Sequence, residues 1–286
     1  MKQSIPHDTI IQGECVDVMK SFPDDSIDMC ITSPPYDDLR EYNGFRFDID
    51  AVTPELYRIM KPGGVVVWIV ADATHNRART GSSIRHKLSF MNAGFGVHDW
   101  MIYHKTGIRY PDSSRYYSGF EFMPVFSKGF PKTINQIRDR ENKSAGERKT
   151  YCRREKDGSI TETGTVVMNE FGVRTNVWSY SSGSLTSAPD KLAFRHPALM
   201  PLALAEDHVV SWSKRGETVL DICCGSGQVP IAAMIRDRRY IGIDCSREYV
   251  ELAEERLSLY RSELDADTLE AIIKLDELRC RRDSAA

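Results

Sequence analysis

A chain of 286 residues, 41% hydrophobic and 28% charged, can bury a large core as one domain or as one domain with an insertion. The composition excludes three classes: no run is long and apolar enough to span a membrane, residues 1–10 lack a signal peptide's apolar centre, and seven cysteines without Cys-x-x-Cys spacing form neither a disulfide framework nor a structural zinc site. A cytoplasmic protein without metal is expected. Its net charge of −3 conceals a segregation, because residues 105–160 carry thirteen Lys and Arg against seven Asp and Glu, an excess suited to a surface that meets phosphate.

Thr9–Gln12 reads as a short strand ending at Gly13, followed by an amphipathic helix over 16–21 and a turn at Pro23-Asp24-Asp25. Ile27, Met29 and Ile31 alternate with polar or small residues as in a half-buried strand. Pro34 and Pro35 forbid both ladder hydrogen bonds and a helix, so that strand stops at Thr32. The stiff loop beyond presents the Ser33 side chain, the Pro34 carbonyl and the Tyr36 ring in one geometry. Residues 42–50 read as irregular. Pro54 is expected to open a helix bearing Leu56, Ile59 and Met60, which Lys61-Pro62-Gly63-Gly64 ends, and 65–70 is continuously apolar, as a strand covered on both faces would be.

A helix from Ser82 to near Gly94, a strand over 97–103 and a strand Phe120–Ser127 follow, the last expected to return antiparallel, with Pro124 marking an edge or a bulge. Periodicity fades over 129–187, whose basic, Ser/Thr/Asn/Gly-rich composition indicates an inserted module with little core of its own. Alternation resumes with a helix over 199–212, a strand over 218–223 feeding Gly225-Ser226-Gly227, a helix over 231–236, a strand over 240–243 ending at Asp244, and a helix over 247–260 with Ser246 at its cap. The closing amphipathic stretch, 263–282, reads as a packing or dimer contact. Strands alternating with helices define an α/β fold around a parallel sheet.

Two constellations carry chemistry. An exocyclic amino group is a poor nucleophile because its lone pair is delocalised into the ring, and two acceptors aimed at its hydrogens localise that pair. Ser33 and the Pro34 carbonyl can be those acceptors, with Tyr36 stacking on the base. Separately, a Gly-rich turn after a strand, with a carboxylate ending the next strand, is how a doubly wound sheet holds an adenosine; Gly225, Gly227 and Asp244 supply it. Pro230 stands where a third glycine would complete a dinucleotide fingerprint, which counts against NAD.

Together these stretches resemble the DNA amino-methyltransferases, in the permuted β-group order in which the catalytic motif precedes the cofactor motif. Thr32-Ser33-Pro34-Pro35-Tyr36 is similar to the family's (Asp/Asn/Ser)-Pro-Pro-(Tyr/Phe) motif, the stretch from Asp221 to Gly227 to its Asp-Pro-Phe-x-Gly-Ser-Gly motif, and the stretch from Tyr240 to Asp244 to its acidic ribose-binding strand. Gly13-Glu14-Cys15 resembles Gly-Asp-Cys, and His196-Pro197 with Pro201 resembles the segment closing over the methionine end of S-adenosylmethionine. Cys223 departs from the expected aromatic residue, Glu14 from Asp and Gln228 from Thr.

The resemblance implies a doubly wound, Rossmann-like methyltransferase sheet, mostly parallel with one antiparallel strand, plus a basic insertion that reads double-stranded DNA. It implies a catalytic set of Ser33, Pro34, Pro35 and Tyr36, and an S-adenosylmethionine set of Glu14, Thr32, His196, Asp221, Cys223, Gly225, Ser226, Gly227 and Asp244. Arg138, Arg140, Arg148, Lys149, Arg153 and Arg154 become the DNA-binding candidates. The expected division is a catalytic half over 1–128, a target-recognition insertion over 129–187 and a cofactor half with its C-terminal helix over 188–286. Transfer to the N4 of cytosine is expected, because Ser in the first motif position is commoner there; N6 of adenine is the alternative. An RNA or protein methyltransferase and a catalytically silent DNA-binding relative are further alternatives.

Overall fold

The computed structural model describes residues 5–35, 47–107, 114–181, 183 and 187–264, together with 268, 270–272, 274, 276 and 280. In chain order the elements are β1 (Thr9–Gln12), α1 (Cys15–Lys20), β2 (Ile27–Thr32), α2 (Ile49–Ile59), β3 (Met60–Trp68), β4 (Thr74–His75), β5 (Ala78–Arg79), α3 (Ser82–Asn92), β6 (Gly96–Lys105) and β7 (Phe120–Ser127). The second half adds β8 (Arg138–Glu141), β9 (Arg148–Arg154), β10 (Ile160–Val167), β11 (Phe171–Val173), β12 (Val177–Tyr180), α4 (Leu202–Trp212), β13 (Thr218–Asp221), α5 (Gln228–Ile235), β14 (Arg239–Asp244) and α6 (Arg247–Glu263).

Eight strands form one sheet in the order β1-β14-β13-β2-β3-β7-β6-β12. Every neighbouring pair is parallel except the two made by β7, which runs against both β3 and β6. The pleat of β3 shows how the two faces are filled: Val65 and Val67 join a core with α4, α5 and α6, while Val66 and Trp68 join one with α1, α2 and α3. Covering each such aliphatic side chain contributes about 1.5–3 kcal/mol. Helices on both faces of a mostly parallel sheet make the doubly wound α/β architecture.

Several local expectations change. β2 is buried on both faces, not half-buried, because β13 and β3 flank it at the centre of the sheet. Pro54 lies inside α2, which starts earlier, where the Asp48 carboxylate accepts the backbone N–H groups of Asp50 and Ala51. Pro124 is in an interior strand; it falls between the Val67–Val125 pairing with β3 and the isolated Val70–Phe122 bridge beyond it, where the ladder is interrupted and no N–H is required. The helix expected over 199–212 starts only at Leu202, behind Pro201, and Ser246 caps α6 without using its hydroxyl.

The basic region between β7 and β12 is built from two antiparallel ribbons, β8 with β11 and β9 with β10, and both strands of the second ribbon are exposed along their whole length. Its flanks belong to the main body, since Ile137 and Trp178 are buried in the core. Arg174 fastens its base: the guanidinium donates to both Asp139 oxygens and to Asp207 of α4, and lies 4.9 Å from the centroid of the Trp178 ring. Beyond α6, Ile272 packs on the core and Asp276 pairs with the buried Arg236, so the closing helical stretch docks on its own chain.

Candidate functional site

β1, β14, β13 and β2 are successive parallel neighbours, so their carboxyl ends line one crevice, and the residues singled out in the sequence gather there. β13 and β2 form the point where the connections turn in opposite directions, the position at which open α/β sheets bind ligands. The Thr32 hydroxyl donates to Asp221 Oδ1 at 2.8 Å, and the Cys223 amide donates to the same oxygen at 3.1 Å. Ser33 and Pro34 follow Thr32 directly, so the acceptor loop leaves the sheet beside the glycine turn. Pro34 is buried and Pro35 partly so, which fixes the loop; Tyr36 lies outside the described residues.

One strand further along, Asp244 Oδ2 accepts the Gly225 amide at 2.8 Å and Oδ1 accepts the Ser246 amide at 2.9 Å. The Gly13 amide donates to the Asp244 carbonyl, which brings the Gly13-Glu14 turn to the same edge. Glu14 itself caps α1, accepting the Asp17 amide at 3.1 Å. Cys223 is half-buried against the core face shared with α1.

The glycines are required where they stand. Gly225 has φ +49°, and a Cβ there would approach within 2.9 Å of His196 Nε2; Gly227 has φ +81° and opens α5. His196 thus lies over the turn, its ring 4.4 Å from that of Tyr249.

Sequence reasoning missed the support beneath this turn. Arg256 of α6, fully buried, donates to both oxygens of Asp190 at 3.0 and 2.7 Å, to the Ser226 carbonyl and to Gln228 Oε1. Tyr260 also donates to Asp190. Gln228 completes the network by donating to the carbonyls of Met200 and Ser187 at 3.0 and 3.3 Å. Its departure from the family's Thr was the one available signal: a longer amide spans the distance from the turn to the segment before α4.

The electrostatics favour a cation. Burial pushes the Asp221 carboxyl up to about 7, against the Thr32 and Cys223 hydrogen bonds that hold it down, and the charge of Asp244 adds to the rise. Asp244 is raised as well, again by burial. Among the described residues neither carboxylate has a cationic side chain as partner. Two buried acids short of positive charge, beside a turn that admits backbone approach, fit a ligand combining an adenosine with an ammonium and a sulfonium. The six basic candidates lie apart from the crevice on the ribbons, where Arg140 Nε donates to the Val173 carbonyl and Lys149 and Arg153 have Glu147 and Glu155 at 4.0 and 3.9 Å.

Residues 27–255 match the family model described as DNA methylase, of the N6/N4 type. Orphan methyltransferase M.BamHII of Bacillus amyloliquefaciens is 48% identical over 240 residues, covering 83% of this chain and 91% of that protein. Among solved structures, PvuII DNA methyltransferase (cytosine-N4-specific) superposes with a TM-score of 0.63 at 18% identity, covering 94% of this chain and 92% of that one. The M1.HpyAVI–SAM complex superposes with a TM-score of 0.57 at 20% identity, covering 87% and 98%. A crevice of this form on this fold, with the family match over most of the chain, defines an S-adenosylmethionine-dependent DNA methyltransferase. The chain belongs to the N6/N4 DNA methylase family.

Proposed function

We propose that the protein methylates the N4 amino group of cytosine in duplex DNA, with Ser33 and the Pro34 carbonyl as the acceptors that activate it. The observation that supports this is the contiguity of the acceptor loop with the glycine turn, made by the Thr32–Asp221 hydrogen bond. Ser33 and the Pro34 carbonyl accept the two amino hydrogens and draw the nitrogen toward a tetrahedral form, so that its lone pair points out of the ring plane. Tyr36 stacks on the extruded base. Asp244 accepts from ribose hydroxyls with the lone pairs its two backbone bonds leave over, Gly225 and Gly227 admit the nucleoside, and Asp221 attracts the ammonium end under His196. S-adenosylmethionine supplies, when bound, a methyl group on a sulfonium, electrophilic enough for a neutral amine. The remaining work is positioning.

The cytosine preference rests on the resemblance of Ser33 to the first motif position of the N4 enzymes; its hydroxyl can accept from the amino group and donate to the neighbouring ring nitrogen, an acceptor that cytosine and adenine share. The chain order, with β2 ahead of β13, fits the β-group. We divide the chain into a catalytic half over 1–128, a recognition insertion over 129–187 whose ribbons reach into a DNA groove, and a cofactor half over 188–286. Mass spectrometry of nucleosides from duplex DNA incubated with the pure protein and S-adenosylmethionine is expected to find N4-methylcytosine. Exclusive N6-methyladenine reassigns the base, and no methylated nucleoside defeats the reading.

A further inference from the structure

A second basic element stands on the same rim as the acceptor loop. The Ile69 amide donates to the Thr32 carbonyl at 3.0 Å and Val70 bridges Phe122, so the chain leaving β3 emerges beside Ser33. It then forms the β4–β5 hairpin, with Thr74 opposite Arg79 and His75 opposite Ala78, exposed throughout. The two-residue turn is Asn76-Arg77, with φ of +47° and +62°. Primed turns of this kind favour Asn-Gly, and a non-glycine residue is held there at a cost in backbone strain. A glycine would remove that cost, yet the position holds a guanidinium.

Residues 73–87 contain Arg77, Arg79, Arg85 and Lys87 and no acidic residue. Asp72, just before them, spends its carboxylate on the Ser83 amide at the start of α3. Arg79 donates to the Asp72 carbonyl at 3.0 Å, and among the described residues neither Arg77 nor Arg79 has a carboxylate partner. A second segment docks on the turn: Arg115 donates to the Arg77 carbonyl, and next to it Tyr116 is 100% exposed and Tyr117 48% exposed. This segment leads into β7, whose antiparallel direction puts its first residue on the same rim. Arg77 and Arg79, without a carboxylate partner among the described residues and beside exposed aromatic rings, have the chemistry of a nucleic-acid backbone contact.

We infer that the β4–β5 hairpin, with Arg115 and Tyr116 docked against it, is a second DNA contact, gripping a phosphate beside the acceptor loop independently of the basic ribbons. The inference rests on the reading of the substrate as DNA. The strained turn aims Arg77 outward at that phosphate, and Tyr116 offers a ring to a base unstacked by extrusion.

The test is equilibrium binding of a labelled duplex across a salt series, with methyl transfer measured in parallel. Arg77→Gly removes the charge while suiting the positive φ, so the melting temperature should not fall and S-adenosylmethionine affinity should stay unchanged. The slope of log affinity against log salt should become shallower by about 0.9, one phosphate contact, and the KM for DNA should rise several-fold. Arg77→Lys should restore the slope. An unchanged slope in Arg77→Gly, with wild type binding and methylating DNA normally, overturns this contact alone; a loss that Arg77→Lys does not recover also overturns it. Failure of the wild type to bind DNA overturns the substrate reading as well.

Discussion

Thr32 and Asp221, 189 positions apart in the chain, meet through a 2.8 Å hydrogen bond in which the threonine hydroxyl donates to a buried carboxylate. That bond joins the strand carrying the acceptor loop to the strand carrying the glycine turn. Thr32→Val keeps the shape and removes the donor. S-adenosylmethionine affinity should then fall by about 1–3 kcal/mol, roughly 5- to 150-fold, because the carboxylate becomes harder to ionise. Calorimetry that finds equal affinity in a folded variant would detach the hydroxyl from cofactor binding.

The raised Asp221 makes binding depend on pH. Its folded value of about 7 stands above the ordinary carboxylate value, so the folded apoprotein holds an extra proton across the interval between them. Stability from this group therefore falls as pH rises through that interval, and the cost is complete above about pH 7. A cationic ligand prefers the ionised acid. Affinity for S-adenosylmethionine should rise from about pH 5.5 to about pH 7.5 and level off beyond, with proton release at the lower end. Asp221→Asn should flatten the profile and raise the apoprotein's melting temperature at pH 8; a variant retaining the wild-type profile would assign the titration to another group.

Asp244→Ala removes the acceptors of two backbone hydrogen bonds and, on the proposed reading, the ribose acceptor with them. S-adenosylmethionine binding should weaken by roughly 1.5–3 kcal/mol, as charge-assisted bonds of this kind contribute. Unchanged affinity in a folded protein would remove Asp244 from the site.

Arg256 stabilises the glycine turn from below. In Arg256→Leu the Asp190 carboxylate, only 10% exposed, loses its bidentate partner, and the fold should lose about 3–5 kcal/mol, seen as a fall of roughly 6–10 °C in melting temperature. A fall below about 2 °C would mean that Tyr260 and solvent hold the acid without it.

Neutralising Arg138, Arg140, Arg148, Lys149, Arg153 and Arg154 should flatten the salt dependence of DNA binding while leaving S-adenosylmethionine affinity unchanged, because the ribbons lie outside the crevice. A slope unaltered by all six changes would place the phosphate contacts elsewhere.

The sheet was legible where chemistry is local. Apolar runs at strand spacing marked all but one of its strands, and Gly225, Gly227 and Asp244 announced their crevice, since a positive φ and a strand-end carboxylate leave their own residue types behind. β12 escaped because only Trp178 among its four residues is buried, too little to show a period. The Arg256–Asp190 fork and the Arg174 clasp were illegible for a different reason: a buried ion pair has no spacing rule, and each partner alone looks like a solvated surface charge. α2 was misjudged at its start because Pro54 drew attention from Asp48, whose side chain sets the boundary.

The position of β2 between β13 and β3 also sets a timetable. β3 follows β2 closely in synthesis, but β13 emerges only after the whole ribbon region, about 190 residues later, on the order of ten to forty seconds at roughly 5–20 residues per second. Through that interval a central, buried strand of the finished sheet carries an open, apolar edge, a template for pairing with another chain. The nascent protein thus passes through a sticky, inactive stage, and a ribosome stalled before residue 218 leaves behind a product prone to aggregate and unable to assemble the crevice.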